Sequence, residues 1–483
     1  MPSESLLPNA IGALVDDGIH ITWRLSNETT SLSYICWPAA TEEVSHIPYH
    51  SIVWCSPVAD TEDVFEISYV TLISKLHKMK LIFVQLSEAG YQSSERCASQ
   101  ILSAAYTGSF HQPRILLLLN TKGGKGDGAA IYKSQIEPIL RAARTQFTCI
   151  ETTHSKHAMQ IGQEVDISKY DIVACCSGDG IPHEFINGLY KRQDSADAFN
   201  KLAVTQLPCG SGNAFSLSTY GTCDSGLATL EMLKLSTMKM DVMLLQQRDN
   251  TFLSFLSQAY GAIADSDIGT EHLRWMGPVR FELGLAYKVF TKARYPCDLY
   301  VKYAIENKQQ IKDHFRLYNK YQDSKVTTEV LEVTSEELRS KYPSITSSIP
   351  DDWKALPSQE MDNLSIFYVG NMPYVLTDAQ FFPAAIPDDG CMDLLLFNSK
   401  MSVLDYTNLL LNVSNGGHVH HDEVRHAKVT AYRLVPRVDP KHHYISIDGE
   451  SFPVEPIQVE VLPKVLTVLL KDKSYVETRF GEH

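Results

Sequence analysis

Three glycine-rich segments constrain the fold of this chain more than any other feature of its sequence. They are NTKGGKG, SGDG and LPCGSGN, and they directly follow the apolar runs Ile115–Leu119, Asp171–Cys176 and Leu202–Gln206. A helical pattern follows each of them. Apolar strands that alternate with helices are typical of a doubly wound parallel sheet, whose ligands bind at the carboxyl ends of the strands. Residues 111–238 are therefore predicted to form a Rossmann-like α/β domain.

The regions on either side of this domain carry β patterns. Residues 1–110 alternate short apolar runs, such as Ile19–Trp23 and Leu32–Trp37, with polar turns, and end in a helical pattern over Ser93–Tyr106. They predict a small β-rich module that resembles a pleckstrin-homology domain, with a plain β-rich extension as the alternative. Residues 239–483 predict an all-β sandwich. Its polar stretch 306–362 lacks an apolar period, and we expect it to be a long loop.

The net charge limits the possible partners. Lys and Arg number 43 against 57 Asp and Glu, which gives a formal net charge of −14. This balance argues against a general nucleic-acid binder, and against docking on acidic lipid through bulk charge alone, although a local basic patch is compatible with it. The sequence has no signal-peptide pattern, no apolar stretch of transmembrane length and no CxxC pair among its 10 cysteines. We therefore expect a cytoplasmic protein with reduced thiols.

The glycine-rich segments have the composition of a phosphate site. Glycines let the backbone approach a ligand closely, and the helix N-terminus that follows offers unpaired N–H groups. Asp179 lies between two glycines, where it can act as a general base, contribute to a magnesium site or cap the following helix. Each segment alone could be an ordinary strand-to-helix turn. Three of them in one sheet favour a shared phosphate site.

The residues around these turns resemble the motifs of the sphingosine (long-chain-base) kinases, which belong to the diacylglycerol-kinase-like lipid kinase superfamily. SGDGIPHEFINGL (Ser177–Leu189) resembles the family signature SGDG-x-x-HE-x-x-NGL, and LPCGSGNAFS (Leu207–Ser216) resembles its LPxGSGNA block. NTKGGKG resembles NPxGGKG, with Thr121 in place of the proline. The remaining blocks, in the order of the family, are GAIADSDIGTEHLRWMGPVRF (Gly261–Phe281), PDDGCMDLLLF (Pro387–Phe397) and DGE (Asp448–Glu450). The first 110 residues are not covered, as is typical of the N-terminal extensions of fungal and plant-like members.

The resemblance implies an enzyme that transfers the γ-phosphate of ATP, with Mg²⁺, to the primary hydroxyl of a sphingoid base, and that contacts the membrane peripherally. Residues 111–238 would be its catalytic nucleotide domain, and 239–483 would hold the lipid. Asp179 matches the catalytic aspartate, and Asp267, with Ser177 and Asp179, would bind the substrate. The residues implied for ATP are Asn120, Thr121, Lys122, Gly124, Thr152, Ser177, Gly178, Gly180, Glu184, Gly210, Ser211, Gly212, Arg274, Arg280, Asp448, Gly449 and Glu450.

Some of these implications leave alternatives open. TTHSKHA replaces the family's TERxxHA, so the nucleotide contacts of Thr153 and His154 are not carried over. A carboxylate at Asp267 suits an ammonium-bearing base, but a diacylglycerol or ceramide kinase, a soluble nucleotide kinase and a lipid-binding pseudokinase stay open. The apolar stretch Phe281–Phe290 is expected either to line a lipid pocket or to join the core. We assign no metal ligands, and we expect the clustered histidines on a solvated turn: His418, His420, His421 and His426.

Overall fold

The computed structural model describes residues 10–23, 46–61, 63–86, 93–109, 112–124, 126–270, 279–322 and 332–482. The chain divides into two compact units that interleave along the sequence. The first is drawn from Met1–Arg114, Ala130–Phe147 and Asp224–Ser236, and the second from Ile115–Ala129, Thr148–Cys223 and Thr237–His483. The division into domains at 110 and 238 stays a prediction, and the predicted strand Leu32–Trp37 lies outside the described residues.

The first unit is built on a six-stranded sheet, which confirms the predicted β-rich module. Its strands are β1 (Ala10–Val15), β2 (Gly18–Trp23), β3 (His46–Pro48), β4 (Ile52–Pro57), β5 (Val64–Ile73) and β6 (Leu76–Leu86), in the order β3-β2-β1-β6-β5-β4. β1 and β6 pair in parallel. Helix α1 (Ser94–Ala105) packs on this sheet through Cys97, Ile101 and Ala105, which recur every four residues and so share one helix face. The likeness to a pleckstrin-homology domain stays a prediction.

Strands and helices alternate from Arg114 to Lys234, as the glycine-rich turns predict. The strands are β7 (Arg114–Leu119), β8 (Gln146–Glu151), β9 (Ile172–Ser177) and β10 (Ala203–Pro208), in the order β10-β9-β7-β8. β9 is buried along its whole length and runs parallel to both β7 and β10. The helices are α2 (Gly128–Ile131), α3 (Glu137–Ala142), α4 (His157–Glu164), α5 (Gly180–Tyr190), α6 (Ser195–Lys201), α7 (Ala214–Tyr220) and α8 (Ser225–Lys234). A single π-helical turn, Tyr132–Ile136, lies between α2 and α3.

The C-terminal half of the chain forms an 11-stranded, mainly antiparallel sheet, which confirms the predicted all-β region. The strands are β11 (Ser236–Gln247), β12 (Asn250–Ser254), β13 (Ser257–Gly261), β14 (Cys297–Ile305), β15 (Lys354–Ala355), β16 (Leu364–Gly370), β17 (Met392–Asn398), β18 (Arg425–Pro436), β19 (Ile445–Ile447), β20 (Glu450–Phe452) and β21 (Ile457–Leu470). The helices are α9 (Ala262–Asp267), α10 (Val279–Phe290), α11 (Lys308–Gln322), α12 (Ser358–Met361) and α13 (Val403–Leu411). One hydrophobic core joins this sheet to the parallel sheet of the second unit. In the described part of the chain, no helix is both long and apolar enough to span a membrane.

The prediction of a loop over 306–362 is wrong for its first part, which forms α11. Ile311 and Phe315 lie about one helical turn apart and are buried, and the ring of Phe315 packs edge-on against Phe480 with centroids 5.3 Å apart. Sequence reasoning missed this helix because its polar residues dominate the composition and its apolar face is narrow.

The histidine cluster also differs from expectation, because two of its members are buried. His418 Nε2 lies 3.0 Å from the carbonyl oxygen of Phe381, and burial lowers the pKa of His418 to about 3. His426 Nε2 lies 2.6 Å from Oδ1 of Asp393. The solvated-turn prediction is therefore wrong for these two residues, which are buried and have partners inside the fold.

Candidate active site

The three glycine-rich turns meet at the carboxyl ends of β7, β9 and β10. A Cβ at Gly210 would lie 2.4 Å from Cα of Gly178, and a Cβ at Gly124 would lie 3.2 Å from Cα of Gly210. Gly124 also has a φ of +59°, in the left-handed region that favours glycine. Backbones can approach this closely only without side chains. The turns therefore form one continuous surface of main-chain groups, with the exposed Ser211 beside Gly210.

Asn120 shapes the first of these turns. Its Oδ1 accepts hydrogen bonds from the backbone N–H groups of Lys122 and Gly123, both at 3.0 Å. The Thr121 hydroxyl donates to Glu151 at 2.5 Å, so the residue that replaces the family proline is tied to β8. The side chain of Asn120 thus holds the turn rather than facing outward from it.

The end of β8 supports the same turn. The backbone N–H of the buried Thr152 donates to the carbonyl of Leu119 at 2.9 Å, and Nζ of Lys122 donates to the carbonyl of Thr153 at 3.3 Å. The N–H of Thr153 donates to Nδ1 of His157 at 3.1 Å. Thr153 therefore stabilises the start of α4, a task that needs no glutamate at this position.

Glu184 binds the backbone at the start of α4 in the second unit. Its Oε1 accepts from the N–H of Lys156 at 2.8 Å, and its Oε2 accepts from the N–H of Ala158 at 3.2 Å. The carboxylate therefore caps the N-terminus of α4, where negative charge is favourable. Its predicted role toward ATP stays a prediction, and this geometry points to support of the neighbouring turn.

The carboxylate of Asp179 lies at the centre of the three turns. Its Oδ1 accepts hydrogen bonds from Nε2 of Gln206 and the N–H of Phe215, both at 3.1 Å, and its Oδ2 accepts from the N–H of Ala214 at 3.0 Å. Asp179 directly precedes α5, but its side chain caps α7 and makes no capping hydrogen bond to α5. The alternative prediction, that Asp179 caps the helix that follows it, is therefore wrong. Burial raises the pKa of Asp179, and the hydrogen bonds from Phe215, Ala214 and Gln206 oppose that rise without cancelling it. Gly212 lies close to this carboxylate, since a Cβ at Gly212 would lie 3.1 Å from Oδ2 of Asp179.

Ser177 comes directly before this turn and is buried. Its hydroxyl donates to the carbonyl of Gly178 at 2.7 Å. The hydroxyl hydrogen thus already has a backbone partner. A substrate could still contact the Ser177 hydroxyl oxygen as a hydrogen-bond donor.

Asp448 is buried and makes hydrogen bonds to both α5 and the β12–β13 turn. It accepts from the Ser254 hydroxyl at 2.6 Å and from the consecutive N–H groups of Phe255–Ser257 at 3.0 or 3.1 Å. Nδ1 of His183 lies 2.8 Å from its Oδ2. Burial lowers the pKa of His183, but the hydrogen bond and charge of Asp448 outweigh it, so the pKa of His183 is raised. Both oxygens of Asp448 are occupied, which favours a supporting role over direct contact with nucleotide.

The two residues after Asp448 face a more open region. Gly449 has a φ of +83° with open space around its Cβ position. Glu450 is exposed, and its Oε1 lies 2.9 Å from the position of a Cβ on Gly180. The carboxylate of Glu450 is therefore next to the SGDG turn.

Helix α9 carries two aspartates in different surroundings. Oδ2 of the buried Asp265 lies 2.9 Å from Nζ of Lys288, 2.9 Å from the Tyr295 hydroxyl and 3.0 Å from Nδ1 of His443. Asp267 is half-buried and accepts from the Ser446 hydroxyl at 3.3 Å. Sequence reasoning selected Asp267 and missed Asp265, although both belong to the same ADSD segment.

A cavity of about 470 Å³ opens beside Asp265. Leu283 and Tyr287 of α10 line it and are 55% and 65% exposed, whereas Leu285 and Val289 of the same helix are buried in the core. One face of α10 therefore joins the core, as one expectation has it, and the other lines this cavity. That the cavity holds lipid stays a prediction.

Two predicted positions, Arg274 and Arg280, and one residue that was not predicted, Asn187, need a separate account. Arg274 lies outside the described residues, and Arg280 belongs to α10, although its side chain also falls outside the described part. Asn187, which was not predicted, bonds to both backbone groups of Leu253 at 2.8 Å and so fixes α5 to β12. The signal that could have found it is its place in the NGL of the SGDG block.

Comparisons with known proteins identify the family of this chain. Residues 114–245 match the family "Diacylglycerol kinase catalytic domain", and residues 357–470 match the family "YegS C-terminal NAD kinase beta sandwich-like domain". Sphingoid long chain base kinase 4 of Schizosaccharomyces pombe is 33% identical over 467 residues, which cover 96% of this chain and 97% of the relative. The chain belongs to the sphingoid long-chain-base kinase family.

Other sphingoid long-chain-base kinases extend beyond this chain. Sphingoid long chain base kinase 5 of Saccharomyces cerevisiae is 37% identical over 445 residues, which cover 82% of this chain but 64% of the relative. A solved structure from Bacillus anthracis str. Sterne shares the fold, with 17% identity and a TM-score of 0.50 over 74% of this chain and 98% of that one. The predicted resemblance to a fungal-like long-chain-base kinase is confirmed, and membership of a kinase family implies ATP as the phosphate donor.

Proposed function

We propose that this chain is a lipid kinase that transfers the γ-phosphate of ATP to the primary hydroxyl of a sphingoid long-chain base. The observation that carries the proposal is the Asp179 carboxylate, which is held by three hydrogen bonds where the glycine-rich turns meet. The substrate class comes from the names of the relatives, one of which extends well beyond this chain. Because that substrate resides in membranes, we also propose peripheral membrane contact from the cytoplasm.

The ATP phosphates would lie against the main chain of the three turns. Their backbones are in contact with one another, as the packing of Gly124, Gly178 and Gly210 demonstrates. Phosphoryl transfer depends mainly on positioning and on neutralising charge, so a preorganised cradle of backbone groups suits it. Lys122 adds a positive charge at the edge of this cradle.

Kinases use Mg²⁺ with ATP, and the carboxylates near the turns fit such an ion unequally. Asp448 does not fit as a ligand, because its oxygens already accept hydrogen bonds from Ser254, from His183 and from the backbone of Phe255–Ser257. Glu450 fits better, since it is exposed beside Gly180 and a phosphate-bound Mg²⁺ needs only one or two carboxylates, whereas both oxygens of Asp179 accept hydrogen bonds as those of Asp448 do. When bound there, the ion would neutralise charge on the transferred group.

Asp179 would act as the general base. Its raised pKa strengthens it as a proton acceptor, and its hydrogen bonds fix its position. The substrate hydroxyl gives its proton to the carboxylate while its oxygen bonds to the γ-phosphorus. The bond from that phosphorus to the bridging oxygen breaks, and ADP leaves with the electron pair. The products are the 1-phosphate of the base and ADP.

The cavity beside Asp265 would take the substrate. A carboxylate at Asp267 suits an ammonium group, whereas Asp265 is already paired with Lys288. The exposed side chains of Leu283 and Tyr287 offer apolar surface to a hydrocarbon chain. Diacylglycerol is the second candidate, favoured by the family that matches residues 114–245. Diacylglycerol carries no cation, so the Asp267 carboxylate would have no charged partner on it.

The test is a radiolabelled ATP transfer assay on a panel of sphingosine, dihydrosphingosine, ceramide and diacylglycerol in mixed micelles. We expect label in the two sphingoid bases, and none above background with Asp179→Asn as the control for contaminating kinases. Preferential labelling of diacylglycerol would select the second candidate. Binding of ATP without transfer to any lipid would identify a pseudokinase and overturn the proposal.

A further inference from the structure

The tip of the β5–β6 hairpin in the first unit presents apolar side chains outward. Leu72, Ile73 and Leu76 are 61%, 36% and 37% exposed. Ile73 pairs with Leu76 across a two-residue turn, Ser74 and Lys75, whose φ values are +52° and +70°. Turns of this kind favour Asn-Gly, and a lysine is unusual at a positive φ. Hairpin geometry alone therefore does not account for the residues found at the tip.

The hairpin is also locally basic. Lys75 lies in the turn, and Lys78 and Lys80 follow it on β6. Residues 67–87 contain no Asp or Glu, although the chain as a whole has a formal net charge of −14. Lysine side chains are therefore close in sequence to the exposed apolar side chains of the tip.

Helix α8 holds the hairpin at His77, which directly follows Leu76 and pairs with Leu72 across the two strands. The N–H of His77 donates to Oδ2 of Asp224 at 2.8 Å, and Nδ1 of His77 lies 3.2 Å from the same oxygen. A Cβ at Gly226 would lie 1.9 Å from the carbonyl oxygen of His77, so only glycine allows this approach. The hairpin is thus anchored at His77, and the residues beyond it at the tip are exposed.

We propose that this hairpin tip docks on an anionic membrane surface. Leu72, Ile73 and Leu76 would enter the boundary between head groups and acyl chains, and Lys75 and Lys78 would face the anionic head groups. Exposed apolar residues beside lysines are the pattern of interfacial membrane contacts. The net charge of −14 gives no bulk attraction to such a surface, so a local contact of this kind is needed. The proposal goes beyond the kinase reaction, because it requires neither ATP nor a sphingoid base.

The test is co-sedimentation of the full chain with vesicles of phosphatidylcholine, with or without added phosphatidylserine, in the absence of ATP and sphingoid base. Leu72→Asp with Leu76→Asp should weaken binding to both vesicles by about tenfold or more, because apolar insertion is lost. Lys75→Glu with Lys78→Glu should weaken binding by about tenfold on phosphatidylserine vesicles only. The matched controls are Leu317→Asp, at a side chain that is 54% exposed on α11, and Lys400→Glu, at an exposed lysine, and both should bind as the unchanged chain does.

Folding of the variants is checked by thermal unfolding and by kinase turnover in detergent micelles, where no bilayer is needed. Ser74→Asn with Lys75→Gly offers a second route, since it suits the turn yet removes one cation, and it should weaken binding to phosphatidylserine vesicles by about fivefold. The proposal would be overturned if the hairpin variants bound the vesicles to the same extent as the two control variants. If the chain phosphorylates no lipid but its vesicle binding still depends on the hairpin, only the proposed activity is overturned.

Discussion

Asp179 accepts a hydrogen bond at 3.0 Å from the backbone N–H of Ala214, the first residue of a helix that lies 35 residues further along the chain. The same carboxylate that the kinase proposal treats as a base is thus a helix cap for α7. Helix caps fix a side chain in one orientation, and a base must keep such an orientation to receive a proton. Position and reactivity of Asp179 are therefore linked through the α7 backbone.

Asp179→Asn should reduce kcat by about 10²–10⁴-fold, because an amide cannot accept the hydroxyl proton. The loss of a charged cap should also lower the free energy of unfolding by about 1 kcal/mol. ATP affinity, followed with a fluorescent nucleotide, should change little. The matched control is Asp166→Asn, at an aspartate that accepts from Ser168 at the start of a short 3-10 helix. Turnover that survives in Asp179→Asn would remove this residue from the base role.

The pH dependence of the reaction should report the raised pKa of Asp179. Activity requires the carboxylate, so kcat/KM should fall as the pH drops through a value above the ordinary pKa of aspartate. Gln206→Met removes a hydrogen bond that stabilises the anion, and its acidic limb should move to higher pH. A limb that stays in place, or moves to lower pH, would contradict this assignment.

Gly210→Ala should damage the site through sterics alone. The added methyl would lie 2.4 Å from the backbone Cα and N of Gly178, which cannot yield as a flexible side chain would. We expect the KM for ATP to rise at least tenfold and the free energy of unfolding to fall by about 1–3 kcal/mol. Gly481→Ala is the control, since its nearest atoms lie 3.9 Å away. Equal behaviour of the two variants in nucleotide binding would argue against the packed turns as the phosphate cradle.

The meeting of the three turns could be predicted from sequence because strand ends of a parallel sheet share one edge, and each turn follows an apolar strand. The contact of Asp179 with the first residues of α7 could not be predicted, since it depends on how the turn after β10 approaches the turn after β9. Asp448 shows the same limit: its position in a DGE motif indicated a role at the site, but its occupied oxygens follow from long-range packing with Ser254 and His183. Helix α11 was missed because a narrow apolar face is hidden by polar composition.

Asp267→Asn and Asp265→Asn should separate substrate binding from structure. Asp267→Asn should raise the apparent KM for the sphingoid base by about tenfold and leave that for ATP unchanged, because a charge pair with the ammonium is lost. Asp265→Asn removes the charge that Lys288 and His443 face inside the fold, so it should lower the free energy of unfolding by about 3 kcal/mol. Steady-state kinetics with both substrates varied, together with urea unfolding, checks each variant. A change confined to the KM for ATP in Asp267→Asn would contradict the assignment of this carboxylate to the lipid.

Lys234 should give the first unit a distinctive dependence of stability on pH. Its Nζ is buried between the carbonyls of Ile52 and Ala105, and burial lowers its pKa from 10.5 to about 7. Between these two values the unfolded chain holds a proton that the folded chain has released, so the free energy of unfolding should rise with pH and level off above the unfolded value. Lys234→Met should reduce this slope and leave the part that comes from Lys239, whose pKa burial lowers to about 8. Lys169→Met, at a side chain that is 69% exposed, should keep the slope in full. Urea-unfolding midpoints measured from about pH 7 to about pH 10 test the difference, and parallel curves for the two variants would show that Lys234 stays charged in the folded protein.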